Sequence, residues 1–397
     1  MNIEALILAA SKQGASDLHL EPSLPPAVRV RGQLQIKGPP LDANELSQAA
    51  RHYVTDTHWA EFLERGSYDL SRTIQGVRCR INILRSARGV GFAIRLFSAF
   101  EATLKRLNLH PDLRSFVGHT HGLILISGAT GSGKSSTLAA LIQEINLSDA
   151  RHIVTVESPI EFRFRPRQSY IRQREVGRDT PTFQQALIDA LREDPDVIMV
   201  GEMREPETMR LTLNAAETGH LVLATVHSAN TIEALQRIVA AFPSDIQNAI
   251  RSQLADSLIG VIAQRLRFRD SIKLRVPECE ILRSNHAVQA HLRSGDLFKI
   301  KSALEMGAEH GMWTFDRYQR WLNQRKEFYT SDQAKREQVT DKDESTPTLP
   351  LPPARATNPR QKTPSKANEP SPQKTGGPIE IEPGLGELGR ILRPGAD

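Results

Sequence analysis

The chain has 397 residues, more than one ordinary core encloses, so two globular domains with additional segments are expected. Its 39% hydrophobic and 24% charged residues are the composition of a water-soluble protein, and 51 basic against 46 acidic side chains leave a net charge of only +5. That excess is too small to argue for a nucleic-acid partner, and two cysteines, Cys79 and Cys279, exclude both a multi-bridge disulfide framework and a four-cysteine zinc site.

At the start, Ile3, Leu6, Ile7 and Ala10 recur at helical spacing, so an amphipathic helix is expected. Glu4 precedes the apolar run and no basic stretch does, which argues against a signal peptide. No run reaches the roughly 18 apolar residues of a membrane span, and a reducing, cytoplasmic location is expected. Strand patterns follow in "SDLHLE", "AVRVRGQLQI" (28–36 mostly alternating), "GVRCRINIL" and "GVGFAIRLF", with helices near 43–55 and 57–65. Residues 1–97 therefore predict an α+β domain with a mixed or antiparallel sheet. Residues 98–121 read as a linker and bridging helix.

From Gly122 the rhythm becomes strand, loop, helix, repeated. "GLILIS" leads into a glycine loop and a helix from Lys134; "HIVTVE" follows; then Thr180, as N-cap, and Pro181, as first helical residue, open "TFQQALIDALRED". "DVIMVGE", a helix near 205–218 and "HLVLATVHS" complete the series, with further helices near 231–241, 245–264, 286–293, 297–306 and 314–326. The fold class expected over 122–330 is α/β, a mainly parallel sheet covered on both faces. Residues 331–397 hold 11 of the 24 prolines and no aromatic residue, a composition that predicts disorder. Only the end, "PIEIEPGLGELGRILRPGAD", has apolar content, which fits an idle tail better than an end that folds on a partner.

"GATGSGKS", Gly128 to Ser135, matches the phosphate-loop pattern in full, between an apolar strand and a helix. Gly128, Ala129, Thr130, Gly131, Ser132, Gly133, Lys134, Ser135 and Ser136 are the candidate nucleotide-binding residues. Glycines let backbone N–H groups turn in around the β-phosphate of ATP, Lys134 adds charge at the β- and γ-phosphates, and the Ser135 hydroxyl suits Mg²⁺. Glu202, ending the strand Val197 to Val200, would lie beside this loop if the two strands are neighbours, and a carboxylate there holds Mg²⁺ through water or polarises the attacking water. Glu157 and Glu161, in "TVESPIEF", also follow a strand, and one of them is a candidate general base. His220 and His227 bracket the strand Leu221 to Val226. An extended run of that length separates their rings by about 20 Å, too far for one shared metal ion. His227, after the strand, is expected near the γ-phosphate, and His220 away from it.

The set "ASDLHL", "GATGSGKSSTLAALI", "HIVTVESPIEF", "QREVGRDT", "ALREDPDVIMVGEMRE" and "AAETGHLVLATVHS" resembles the type IV pilus retraction ATPases, the PilT/PilU branch of the secretion-motor superfamily, in order from about residue 1 to 326. The resemblance implies an N-terminal PAS-like domain joined to a RecA-like ATPase core, assembled as a homo-hexamer. It implies ATP hydrolysis that drives pilus depolymerisation through an inner-membrane platform protein, at the cytoplasmic base of the pilus machine, with a paralogous retraction ATPase as a further candidate partner. Through it Glu161 matches the acidic-box base with Glu157 in support, Glu202 matches the Walker B glutamate, and His220 and His227 match the histidine box. Arg80 and Arg95 match arginines that reach the γ-phosphate, whereas Arg78 and Arg88 are expected to be ordinary surface charge.

Three departures stand out. Ser158 replaces the family's aspartate, Ala129 replaces a proline, and 287–295 keeps little of the family's retraction motif beyond Ala287, Leu292 and Arg293. The last favours an accessory, PilU-like role. A nucleotide-binding scaffold ring with weak turnover is one alternative. A pilus-extension or type II secretion ATPase is the other, though such relatives usually carry a longer N-terminal extension and a four-cysteine module. If 331–397 is dispensable, a chain cut after residue 330 keeps its assembly state in light scattering and its ATPase rate; loss of hexamers on truncation would refute this.

Overall fold

The computed structural model describes residues 2–30, 32–97 and 101–330. The tail expected to be disordered, 331–397, lies outside the described residues.

The first part of the chain runs α1 (Ile3–Lys12), β1 (Ala15–Leu20), β2 (Ala27–Val30), β3 (Gln33–Ile36), α2 (Ala43–Tyr53), α3 (Asp56–Arg65), β4 (Ser67–Ile74), β5 (Val77–Ser86) and β6 (Gly89–Phe97). Asn2 caps α1 by accepting the Ala5 N–H at 3.0 Å, and the helix buries Ile3, Ile7 and Ala10, the face its spacing predicts. The strands form one sheet in the order β3-β2-β1-β6-β5-β4, every pair antiparallel. Strand alternation sends Cys79, Ile81 and Ile83 of β5 into a core shared with Ile7, Leu46, Phe62 and Phe92. Even-numbered β5 residues, Arg78 and Arg80 among them, therefore face the other way. Two expectations are corrected. The stretch 28–36 is two strands of a hairpin that turns at Gly32, whose φ is +83°. Strand β4 was not expected, because "SYDLSRTI" has little apolar content to mark it.

The second part begins with a short 3-10 segment, Pro111–Gly118, then β7 (Gly122–Ser127), α4 (Lys134–Ser148), β8 (His152–Glu157), β9 (Tyr170–Glu175), α5 (Phe183–Ala190), β10 (Val197–Val200), α6 (Pro206–Glu217) and β11 (Leu221–Val226). It ends with α7 (Thr231–Ala240), α8 (Gln247–Ser257), β12 (Leu258–Arg269), β13 (Leu274–Arg283), α9 (His286–Ser294), α10 (Leu297–Met306) and α11 (Phe315–Gln324). The strands make a seven-stranded sheet, β13-β12-β7-β11-β10-β8-β9, parallel except for β13. One face packs on α5 to α10 through residues such as Leu187, Met209, Leu235, Leu254, Val288 and Ile300. The other packs on α4, α11 and the 3-10 segment through Leu138, Ile142, Phe116 and Tyr318. The α/β class expected from the strand–helix rhythm is what the chain adopts.

Helix α5 starts two residues later than the sequence suggested. Thr182, not Thr180, is its N-cap, accepting the Gln185 N–H at 3.1 Å, while the Thr180 carbonyl accepts from Gly177 at 2.8 Å. The larger correction concerns 245–264. Helix α8 stops at Ser257, and Leu258 onward is strand β12, paired with β7 on one side and β13 on the other. An apolar run such as "LIGVIA" reads as helix or strand with equal ease, and only its seat beside β7 decides.

Gly260 separates the two alternatives. In a helix, Gly260→Ala stabilises by about 0.5–1 kcal/mol. In β12 the new Cβ lies 2.4 Å from the Leu282 carbonyl oxygen and 2.5 Å from the Phe116 ring. We expect Gly260→Ala to lower the urea midpoint, by about 1–3 kcal/mol, whereas a gain would contradict the strand.

Candidate active site

Strand β7 is buried along its whole length and delivers the phosphate loop at its C-terminal end. The chain turns through Gly128, Ala129, Thr130, Gly131, Ser132 and Gly133 and enters α4 at Lys134. Glycine is required at two of these positions. A Cβ on Gly128 would sit 2.4 Å from both the Gln264 carbonyl oxygen and the Ser132 hydroxyl, and Gly133, at φ +90°, faces the Gln264 amide at 2.8 Å. That amide braces the loop: Gln264 Nε2 donates to the Ser132 carbonyl at 2.7 Å, and Oε1 accepts the Thr137 hydroxyl at 2.6 Å.

Lys134 Nζ donates to the Gly128 and Ala129 carbonyls at 2.9 and 3.1 Å. Burial lowers its pKa, and Glu202 and Glu161 oppose that shift. Ser135 is exposed, its hydroxyl bonded to the Glu161 side chain, and Ser136 follows in the first turn of α4. The buried Ser132 hydroxyl has no hydrogen-bond partner among the described residues. An unpaired hydroxyl, inward-turning glycines and a desolvated ammonium suit the oxygens of a nucleotide phosphate. The Ser135 hydroxyl and the Glu202 carboxylate are hard oxygen donors of the kind Mg²⁺ takes.

Glu202 follows β10, which is not the neighbour of β7: β11 lies between them. The carboxylate reaches the loop's vicinity across β11, and the residue after that strand, His227, meets it with Nε2 2.7 Å from Glu202 Oε1. Oε2 pairs with Arg204 at 2.7 Å. Burial acts to raise Glu202, but Arg204, His227 and Lys134 outweigh it and hold the carboxyl below its ordinary range. Burial and Lys134 push His227 down in turn, while Glu202 opposes that shift.

Glu157 and Glu161 differ sharply. Glu157, at the end of β8, is buried, and desolvation pushes its carboxyl up to about 7 although the Thr155 hydroxyl and the Gln173 amide bond to it at 2.7 and 3.1 Å. Glu161 is half-buried beside Ser135; burial raises it too, while Ser135, Arg95, Arg80 and Lys134 favour its charged form. Those two arginines come from the first sheet, directly opposite each other on β5 and β6. Each also pairs with an aspartate at 3.1 Å, Arg80 with Asp69 and Arg95 with Asp17, and both guanidiniums remain largely exposed. His220 lies elsewhere. Its carbonyl accepts the N–H of Gly122, the first residue of β7, and its Nδ1 is 3.0 Å from the Ala215 carbonyl, at the sheet edge away from the phosphate loop.

The family profile described as "Type II/IV secretion system protein" matches residues 1–301. The chain belongs to that family. Within it, the chain is a member of the type IV pilus retraction ATPases. It is 39% identical to the type IV pilus retraction ATPase PilT of Pseudomonas aeruginosa over 318 residues, 80% of this chain and 92% of that relative. It is 33% identical over 318 residues to the type IV pilus ATPase PilU of the same organism, covering 83% of that relative. A crystal structure of the pilus retraction motor PilT with bound ADP superposes with a TM-score of 0.72 at 38% identity, covering 80% of this chain and 96% of that one. The chain is an ATPase and binds nucleotide. No helix of the described residues is long and apolar enough to cross a membrane.

Sequence reasoning missed several residues of this ATPase. Gln264 was hidden by reading its strand as helix. Arg204 stands two places beyond Glu202, where a charge reads as ordinary loop solvation. Arg78 is a correction: expected on the surface, its side chain is 8% exposed and pairs with Glu175 at 2.6 Å. Arg88 is exposed, as expected. Period-2 alternation puts Arg78 on the same face of β5 as Arg80, which the resemblance placed at the site, and that is the one available signal.

A carboxyl raised from 4.5 to about 7 binds its proton more tightly folded than unfolded, so it stabilises below about pH 4.5 and that contribution is lost as pH rises through 7. Glu157→Gln does not titrate. Its stability relative to wild type should therefore improve between pH 5 and pH 8, by up to about 3 kcal/mol in denaturant midpoints. An unchanged difference would show that Glu157 is not held protonated.

Proposed function

We propose that this ATPase powers type IV pilus retraction as a ring of six subunits in the cytoplasm, bound at the inner-membrane base of the pilus to the platform protein. The reading rests on one observation above others. Lys134, Ser135, Glu161 and Glu202 gather at the C-terminal edge of the parallel sheet, with the charges of Arg80 and Arg95 of the first sheet acting on Glu161.

In this reading the loop from Gly128 to Ser136 cradles the β- and γ-phosphates of ATP, with Lys134 countering their charge. Glu161 takes a proton from the attacking water; its raised pKa, kept in check by Ser135 and the arginines, makes it a stronger base than an exposed carboxylate. Arg80 and Arg95 offset charge that develops on the γ-phosphate. Ser135, and Glu202 through water, would hold Mg²⁺, which when bound neutralises phosphate charge. His227, bonded to Glu202, senses the state of that carboxylate. His220, at the far edge, couples the strand to a neighbouring element or subunit. PilT is the more similar of the two pilus relatives, which supports a principal motor over an accessory one, while the altered 287–295 segment supports the accessory role. Ser158 supports a second reading, a nucleotide-binding ring with weak turnover.

Steady-state hydrolysis separates the motor from the weak ring. Lys134→Ala, Glu161→Gln and Glu202→Gln should each lower kcat by about 100-fold. If wild type is no faster than Lys134→Ala and Glu202→Gln, the motor reading fails. Pilus retraction in a deletion strain then tests the organelle, and unchanged retraction would remove the assignment as principal motor.

A further inference from the structure

The segment that carries Glu161 is fastened from the other sheet. Arg78, on β5, donates through Nε to the Ile160 carbonyl at 3.0 Å, and its guanidinium pairs with Glu175 Oε2 at 2.6 Å. The same Glu175 oxygen accepts the Ile160 N–H at 3.2 Å, so the two side chains grip both polar backbone groups of the residue before Glu161. Ser71, on β4, donates to the other Glu175 oxygen and accepts from Arg78. Glu175 ends β9, in register with Glu157 at the end of β8. The loop between Glu157 and Glu161 is thereby anchored at one end by strand pairing and at the other by this clamp.

Burying an arginine and a glutamate at 8% and 6% exposure costs several kcal/mol per ion unless the geometry returns it. Apolar residues would join two sheets with less penalty, so the ion pair needs another use. The same strand suggests it: Arg80, two residues on from Arg78 and on the same face, acts on the Glu161 carboxylate. One strand thus fixes the backbone before Glu161 and supplies a charge to its side chain.

We infer that Arg78 is a positioning residue for hydrolysis: with Glu175 and Ser71 it fixes the Ile160 backbone so that the Glu161 carboxylate is held at Ser135, in register with the arginines of the first sheet. The inference rests on Glu161 being the base.

Arg78→Lys keeps the charge but cannot serve Ile160, Ser71 and Glu175 together, because lysine lacks the planar fork. The full-length variant should keep its unfolding midpoint within a few degrees and its KM for ATP within about twofold. Its kcat should fall about 10- to 100-fold, the scale on which small misplacements act. In a Glu161→Gln background, read by single turnover, Arg78→Lys should change the residual rate by less than about twofold, because the two act on one step. Wild-type kcat in Arg78→Lys, or an undiminished further loss in the Glu161→Gln background, overturns the positioning role. A Glu161→Gln variant as fast as wild type overturns the base assignment itself, a distinct result. Should Arg78→Lys fail to fold, Ser71→Ala carries the test: it should lower kcat with KM kept, and unchanged kcat in both backgrounds overturns the inference.

Discussion

Both faces of the seven-stranded sheet are covered by helices, and that coverage dictates where chemistry is possible. A parallel strand buried on both sides has no room for ionisable groups along its length. Strands β7, β10 and β11 are buried at every position, so on these three charge collects only beyond their ends. The C-terminal ends of β7, β8, β10 and β11 lead into Lys134, Glu161, Glu202 and His227. Packed at one partly desolvated edge, each of these groups is ionised on terms set by the others. Two carboxylates oppose the burial that lowers Lys134, and Lys134 in turn favours the charged form of both carboxylates.

The three glutamates show how far environment divides one residue type. Glu202 sits between a guanidinium and an imidazole and stays a carboxylate below its usual range. Glu161, half-buried yet faced by cations, is raised. Glu157 is pushed up to about 7 by burial, with the Glu161 charge adding to the rise and the neutral donors Thr155 and Gln173 opposing it. Such separation is what lets neighbouring carboxyls take different roles at one pH. It also explains why Ser158 leaves these two glutamates in place: Glu157 is held by Thr155 and Gln173, and Glu161 by Ser135, none of which involves position 158.

Much of the fold was legible because its signals are local. The strand–helix rhythm after Gly122 and the burial of Ile3, Ile7 and Ala10 both follow from nearest neighbours along the chain. Elements were lost where local signals conflict or fade. Polar β4 lacks apolar alternation, and β9, "YIRQRE", carries three charges in six residues. Strand β12 looked helical because an apolar run is the same length of hydrophobic chain either way.

By itself the sequence determined the phosphate loop, the acidic strand ends and the α/β class, since glycine conformation and strand–loop–helix spacing act within a dozen residues. Tertiary structure alone decided that β11 separates β7 from β10, that Gln264 braces the loop, and that Arg78 is buried while Arg80, two residues away, is 45% exposed on its side chain. Those outcomes join residues far apart in the chain, Arg78 to Glu175 and Ser132 to Gln264. The energy of a charge depends on what packs over it, which no short stretch of sequence contains.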